Sequence, residues 1–254
     1  MFNRPIILAN WKMNLSVQDS LKLAKQLVKF MPQLSATAPE VVLCPSLPAL
    51  SGVGQVIAGS AISLGAQNVF WQTSGSYTGE VSPVMLKELG VKYVIVGHSE
   101  RRQWLNETPD MIKRKVWAVL NQDLVPVLCV GETFNERQTG RKDLVVMEQL
   151  KSAVNGLKLK PTNQLIVAYE PVWVIGSGQA VAHEEMVETA KAMEQVLVDL
   201  FSVKAVREQI RIIYGGSVDQ DNINICLQEA PLQGVLVGGA SLQASSFEQL
   251  LTRV

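Results

Sequence analysis

Histidine is nearly absent from this 254-residue chain, which holds only His98 and His183, and cysteine is scarce, at three residues. Cys44, Cys129 and Cys226 are far apart and lack the close pairs a zinc site uses, so they read as reduced thiols. Excess charge is missing too. The 23 Lys and Arg balance 23 Asp and Glu, and the basic residues form no stripe with interleaved aromatics, so nucleic acid is not expected as a partner. No apolar stretch approaches membrane-spanning length, and the first five residues run straight into an apolar strand, too short for a signal peptide. A cytoplasmic protein with no membrane partner is expected. No Pro-, Ser- or Gly-rich tract divides the chain, so a single domain over residues 1–254 is predicted.

What is present is a regular alternation of short apolar runs and amphipathic segments. The runs predict strands at 6–10, 41–44, 62–67, 93–96, 125–130, 165–169, 210–214 and 235–237. Between them, Ser16 with Asp19 three residues on caps a helix whose apolar stripe is Leu21, Leu23, Ala24, Leu27 and Val28. Residues 47–58 read as a short helical segment. Ser82-Pro83 and Thr108-Pro109 each place a proline at the first helical position after a cap, the second ahead of a helix over 111–120. Further helices are predicted at 144–154, within 184–201, at 222–227 and at 247–251. Eight strand–helix units fit an α/β chain folded as one (β/α)8 barrel. A doubly wound open sheet is the rival, but the even spacing and the lack of a glycine fingerprint after the first strand count against it.

In a barrel the reactive groups lie just beyond the strand C-termini, which narrows the candidates. Glu170 ends the apolar run 165–169, Pro171 stops the ladder, and residues 172–178 follow as an apolar, glycine-hinged loop. A carboxylate under a closing apolar lid is dried, and drying strengthens a base; the other reading is a solvated strand-end Glu beside an ordinary loop. Lys12 is either a snorkelling surface charge or a cation on the active face. His98 is either a satisfied core residue or a strand-end partner to Glu170 in proton transfer. The glycine pairs Gly215-Gly216 and Gly238-Gly239 are each only a turn. Together, after strands seven and eight, they match the place where barrels bind phosphate through backbone N–H groups.

Five segments then combine: Asn10-Trp11-Lys12-Met13-Asn14, Gly97-His98-Ser99-Glu100-Arg101-Arg102, Ala168-Tyr169-Glu170-Pro171-Val172-Trp173, Tyr214-Gly215-Gly216-Ser217-Val218 and Leu236-Val237-Gly238-Gly239-Ala240-Ser241-Leu242. In this order, over essentially the whole chain, they resemble the triosephosphate isomerase family. The resemblance implies a TIM barrel that interconverts dihydroxyacetone phosphate and D-glyceraldehyde 3-phosphate through an enediol(ate), in glycolysis and gluconeogenesis. It implies a small triose phosphate as substrate and no metal or cofactor, the substrate carbonyl being the electron sink. Glu170 would be the base, His98 a neutral electrophile, Lys12 the positive charge for phosphate and enediolate, and Asn10 a holder of substrate oxygens. Glu100 resembles the family's active-site acid near Lys12. Backbone N–H groups of Gly176, Ser217, Gly238 and Gly239 would grip phosphate, and Val172, Trp173, Val174, Ile175, Gly176, Ser177 and Gly178 would form the lid. The long apolar connection 67–83 resembles the family's interlocking loop, with Thr78 reaching a partner's site near Asn10 and Lys12, so a homodimer is expected.

There are departures from the family pattern. Val174 stands where Ala is usual, Ser177 where Thr is usual, and Gln179 where a basic residue is usual, changes that bear on lid timing. A family Arg on helix six and an Asp before strand eight appear as Glu194 and Gln233, so that ion pair is expected to be missing. None of the five motifs loses its central residue. Two other readings stay open on sequence: a different barrel enzyme acting on a phosphorylated sugar or aldehyde, and a relative that binds without catalysing.

Overall fold

The computed structural model describes residues 2–35, 38–175 and 181–254. Its strands are β1 (Ile6–Asn10), β2 (Glu40–Cys44), β3 (Ile62–Ala66), β4 (Val91–Val96), β5 (Val125–Val130), β6 (Leu165–Tyr169), β7 (Ile210–Tyr214) and β8 (Leu232–Val237). Each pairs in parallel with the next, and β8 returns to β1 with Ile6 opposite Gly234 and Ala9 opposite Val237, so the sheet closes into a barrel. Strands of such a sheet are buried on both faces, which is why they read as unbroken apolar runs.

Side chains alternate between the two faces with period two. Ile6 and Leu8, Val125, Val127 and Cys129, and Ile166 and Ala168 fill the barrel interior with Tyr93, Ile95, Ile213 and Leu236. Ile7, Ala9, Val167 and Tyr169 face the surrounding helices in the larger core. Continuing the count puts Asn10, the last residue of β1, after Ile6 and Leu8, and Glu170, the residue after β6, after Ile166 and Ala168, on the inward register. The barrel's own packing therefore aims both polar groups at its mouth.

The helices are α1 (Val17–Phe30), α2 (Leu47–Ile57), α3 (Pro83–Glu88), α4 (Ser99–Trp104), α5 (Pro109–Asn121), α6 (Phe134–Gln138), α7 (Lys142–Val154), α8 (His183–Leu200), α9 (Val203–Gln209), α10 (Ile223–Leu227) and α11 (Ala244–Leu251). Ser16, Ser82 and Thr108 accept the backbone N–H of Asp19, Met85 and Met111, as the cap spacing predicts. β4 and β8 begin earlier than their apolar runs. Exposed Lys92 interrupts one, and Gln233-Gly234 interrupts the other, where a Cβ on Gly234 would lie 2.2 Å from the Ile6 carbonyl oxygen of the neighbouring strand. Helices α4, α6 and α9 were not expected from periodicity. No helix among the described residues is long and apolar enough to cross a membrane.

The connection from β3 to α3 projects outward, with Phe70 stacked on Trp71 at 4.0 Å and tilted against Tyr77 at 4.5 Å. Its root is held by a buried charge cluster. Lys115 Nζ donates to Asn68 Oδ1 at 2.8 Å and pairs with Glu107, which also accepts from Arg101 Nε at 3.1 Å. Burial pushes the Lys115 ammonium below its ordinary range, and the Glu107 carboxylate opposes that shift. Lys115→Met strips this buried carboxylate of one partner. A loss of about 3 kcal/mol is expected, read as a lower urea midpoint at unchanged m-value.

Candidate active site

Glu170 lines the barrel mouth and is only 1% exposed. Its backbone N–H still donates to Val130 O at 2.7 Å, as an extension of the β5–β6 ladder, and Ser99 N–H donates to Oε2 at 3.2 Å. Oε1 lies 3.3 Å from His98 Nε2 yet has no hydrogen-bond partner among the described residues. The floor beneath the side chain is Gly215, where a Cβ would stand 2.8 Å from Glu170 Cγ. Any larger residue there would displace the carboxylate.

His98 caps α4. Its Nδ1 accepts the Glu100 backbone N–H at 3.3 Å, so the ring proton of the neutral tautomer sits on Nε2, facing Glu170 and the cavity. The Glu100 carboxylate is 3.6 Å from the same Nδ1, beyond hydrogen-bond length, and is taken up instead by Lys12 Nζ at 2.6 Å. Arg102, on α4, braces the turn before His98 by donating to Gly97 O at 2.7 Å and Cys129 O at 2.9 Å.

Lys12 sits in the left-handed region, at φ +50°, where a side chain with a Cβ is strained. Two side chains hold it there. Asn10 Oδ1 accepts the Lys12 N–H at 3.1 Å, and Gln67 Nε2 donates at 2.9 Å to both Lys12 O and Cys44 O. The ammonium comes close to the turn after β8: a Cβ on Gly238 would meet Lys12 Cε at 3.6 Å and Nζ at 4.0 Å.

One cavity of about 500 Å³ gathers these groups. Its lining includes Asn10, Lys12, His98, Glu100 and Glu170 together with Ile175, Gly215, Ser217, Gly238 and Gly239. Every predicted site residue that falls among the described residues reaches it, apart from Val172, Trp173 and Val174, which form a short 3₁₀ turn behind Ile175. Gly176, Ser177, Gly178 and Gln179 lie outside the described residues. The opposite end of the barrel has a hollow of about 570 Å³ bordered by Phe2, Arg4, Gln233 and Arg253, without a His, Asp or Glu side chain. Among the described residues no group of three or more His, Cys, Asp or Glu could hold a metal ion.

Some contributors carry no motif that periodicity detects. Gln67 and Arg102 act through backbone carbonyls far away in sequence. Glu132, fully buried just past β5, accepts from Trp173 Nε1 at 2.9 Å and from Tyr169 OH at 3.3 Å, and Arg137 lies 4.5 Å over the Trp173 ring. Burial pushes the Glu132 carboxyl above the ordinary range, and those two hydrogen bonds pull it back. The turn at the start of the expected lid is thereby fixed to the barrel. The Thr133-to-Glu136 capping box was the one readable signal in this region.

Fold and site together define a (β/α)8-barrel enzyme equipped for acid–base chemistry on a small anionic molecule. The family model described as triosephosphate isomerase matches residues 5–254. Relatives named triosephosphate isomerase include those of Thermoanaerobacter sp. (strain X514), 43% identical, and Caldanaerobacter subterraneus subsp. tengcongensis, 44% identical. Each comparison covers 98% of both chains. A crystal structure of triosephosphate isomerase from Bartonella henselae is similar at a TM-score of 0.87 and 34% identity, again over 98% of both chains. The chain belongs to the triosephosphate isomerase family.

Proposed function

We propose that this chain interconverts dihydroxyacetone phosphate and D-glyceraldehyde 3-phosphate in the cytoplasm, serving glycolysis and gluconeogenesis. The observation that carries the reading is the pairing of a buried Glu170 carboxylate, with Oε1 unbonded, and the His98 Nε2 edge 3.3 Å away over one cavity shared with Lys12. Glu170 takes the carbon-bound proton from C1 of the ketone, and the electron pair moves through the C1–C2 bond onto the C2 oxygen. His98 donates to that oxygen through Nε2–H, and Lys12 stabilises the negative charge. Returning the proton to C2 and shifting the hydroxyl proton from O1 to O2 completes the isomerisation with no external oxidant. Asn10 steadies Lys12 and the substrate oxygens, and Glu100 holds the ammonium until substrate arrives. The backbone N–H groups of Ser217, Gly238 and Gly239, with Gly176 from the lid, take the phosphate. Mixing the protein with glyceraldehyde 3-phosphate and following dihydroxyacetone phosphate tests this. Binding without conversion would replace the reading by an inactive relative.

The same site is proposed to be completed by a second copy of the chain. Met13 is 95% exposed, and Trp104 and Leu105 are also exposed beside Lys12 around a hollow of about 390 Å³. Apolar side chains concentrated next to catalytic polar groups mark an interface. The connection over 67–83 supplies the projecting segment, with Phe70 and Trp71 half-buried at its root and exposed Tyr77 beside Thr78. A self-complementary homodimer follows. Sedimentation at micromolar concentration is expected to give the dimer mass, and fully active monomers would overturn this assignment.

A further inference from the structure

We propose that Gln149, on α7, is a positioning residue for Glu170 that acts through the backbone of Gly131. The inference rests on the isomerase reading above and extends it to a residue outside the cavity. Past the end of β5, Val130 O accepts from Glu170 N–H at 2.7 Å and Glu132 O accepts from Val172 N–H at 3.0 Å. Those two carbonyls belong to the ladder toward β6. The polar groups of Gly131, between them, have no place in that ladder, and an unpaired backbone pair here would be costly.

Gln149 supplies both missing partners. Its Oε1 accepts the Gly131 N–H at 3.0 Å and its Nε2 donates to Gly131 O at 3.1 Å, so one side-chain amide stands in for a strand neighbour. The helix behind it is fixed, with Val145, Val146, Leu150, Ala153 and Val154 buried. Gly131 in turn lies close against the main chain of Glu170: a Cβ there would lie 1.6 Å from Glu170 O and 2.5 Å from Glu170 C. The position of Gly131 therefore sets where the Glu170 main chain sits. Through it, the amide of Gln149 sets the height of the carboxylate against His98 Nε2. Among the described residues no other side chain bonds to either polar group of Gly131.

The test uses two variants. Gln149→Leu keeps the volume and removes both hydrogen bonds; kcat is expected to fall roughly 10- to 100-fold, since small displacements of a reacting group cost that much. KM and the inhibition constant of inorganic phosphate are expected to stay within about twofold, because the phosphate groove is untouched. Gln149→Glu supplies a built-in rescue. Its ionised carboxylate repels Gly131 O, whereas the protonated form has the donor and acceptor of the amide, so the ratio of its kcat to the parent's is expected to rise as the pH falls from about 6 through the ordinary glutamate range at about 4.3. Amide exchange at Glu170 and Val172, followed by mass spectrometry, should quicken in Gln149→Leu and does not depend on turnover. Absence of isomerase activity in the parent would count against the isomerase reading, while the exchange measurement still decides on the clamp. Parent-like kcat with unchanged exchange, a loss shared equally by kcat and phosphate affinity, or a Gln149→Glu ratio flat with pH would overturn the proposal. If Gln149→Leu fails to fold, the pH dependence of Gln149→Glu alone decides it.

Discussion

Glu170→Gln is expected to lower kcat by roughly 10³- to 10⁴-fold while leaving KM nearly unchanged. The substitution is isosteric. A side-chain oxygen remains for the Ser99 N–H, now 3.2 Å from Oε2, and the packing over Gly215 is conserved. What disappears is the buried carboxylate that lines the cavity beside His98, and without it no proton is expected to leave carbon. Incorporation of solvent deuterium into dihydroxyacetone phosphate should fall in parallel, because exchange requires the same enediolate. A variant that turns over within tenfold of the parent, or that still exchanges deuterium at the parental rate, would remove Glu170 from the role of base.

Lys12→Met is the second large effect, about 10³-fold in kcat/KM, with the fold intact. In the proposed mechanism the side chain contributes charge at two places, to the enediolate oxygen and to the phosphate near Gly238. Met keeps the length and the apolar stem but carries no charge. Glu100 then loses its 2.6 Å partner; it is 45% exposed, so solvent takes over at little cost to stability. Lys158→Met, at an exposed position beyond α7, is the comparison and is expected to be silent. Equal, small effects at both positions would return Lys12 to a surface charge.

The barrel was legible because its strands are buried on both faces. Runs such as 6–10, 125–130, 165–169 and 210–214 are bounded sharply, and the observed strands coincide with them. Where a residue that is not apolar stands near the start of a barrel strand, as Lys92 and Gln233 do, the run starts late and the boundary moves, whereas Arg211 inside β7 left both ends unchanged. Short helices were lost for a different reason. α4, reading Ser-Glu-Arg-Arg-Gln-Trp, has no apolar stripe, and it exists because His98 caps it and Arg102 ties it to Gly97. The residues that touch the cavity lie in compact segments at strand ends, so their motifs could be read. The residues that hold them do not. Gln67, Arg102 and Gln149 each satisfy backbone groups contributed by another element, and such pairings appear only once the chain has closed on itself.

Lys12 shows how activity and durability compete at one position. Its left-handed backbone disfavours any residue with a Cβ by about 1 kcal/mol, and only glycine, or to a lesser degree asparagine, would relax it. Directed evolution for heat tolerance alone would accordingly favour Lys12→Gly or Lys12→Asn and discard the ammonium at the mouth. Selection for turnover favours the strained lysine. A thermostabilisation campaign on this barrel should therefore hold position 12 fixed and seek its gains in the outer helices, because the most direct stabilising step at that position is the one expected to remove the proposed catalytic charge.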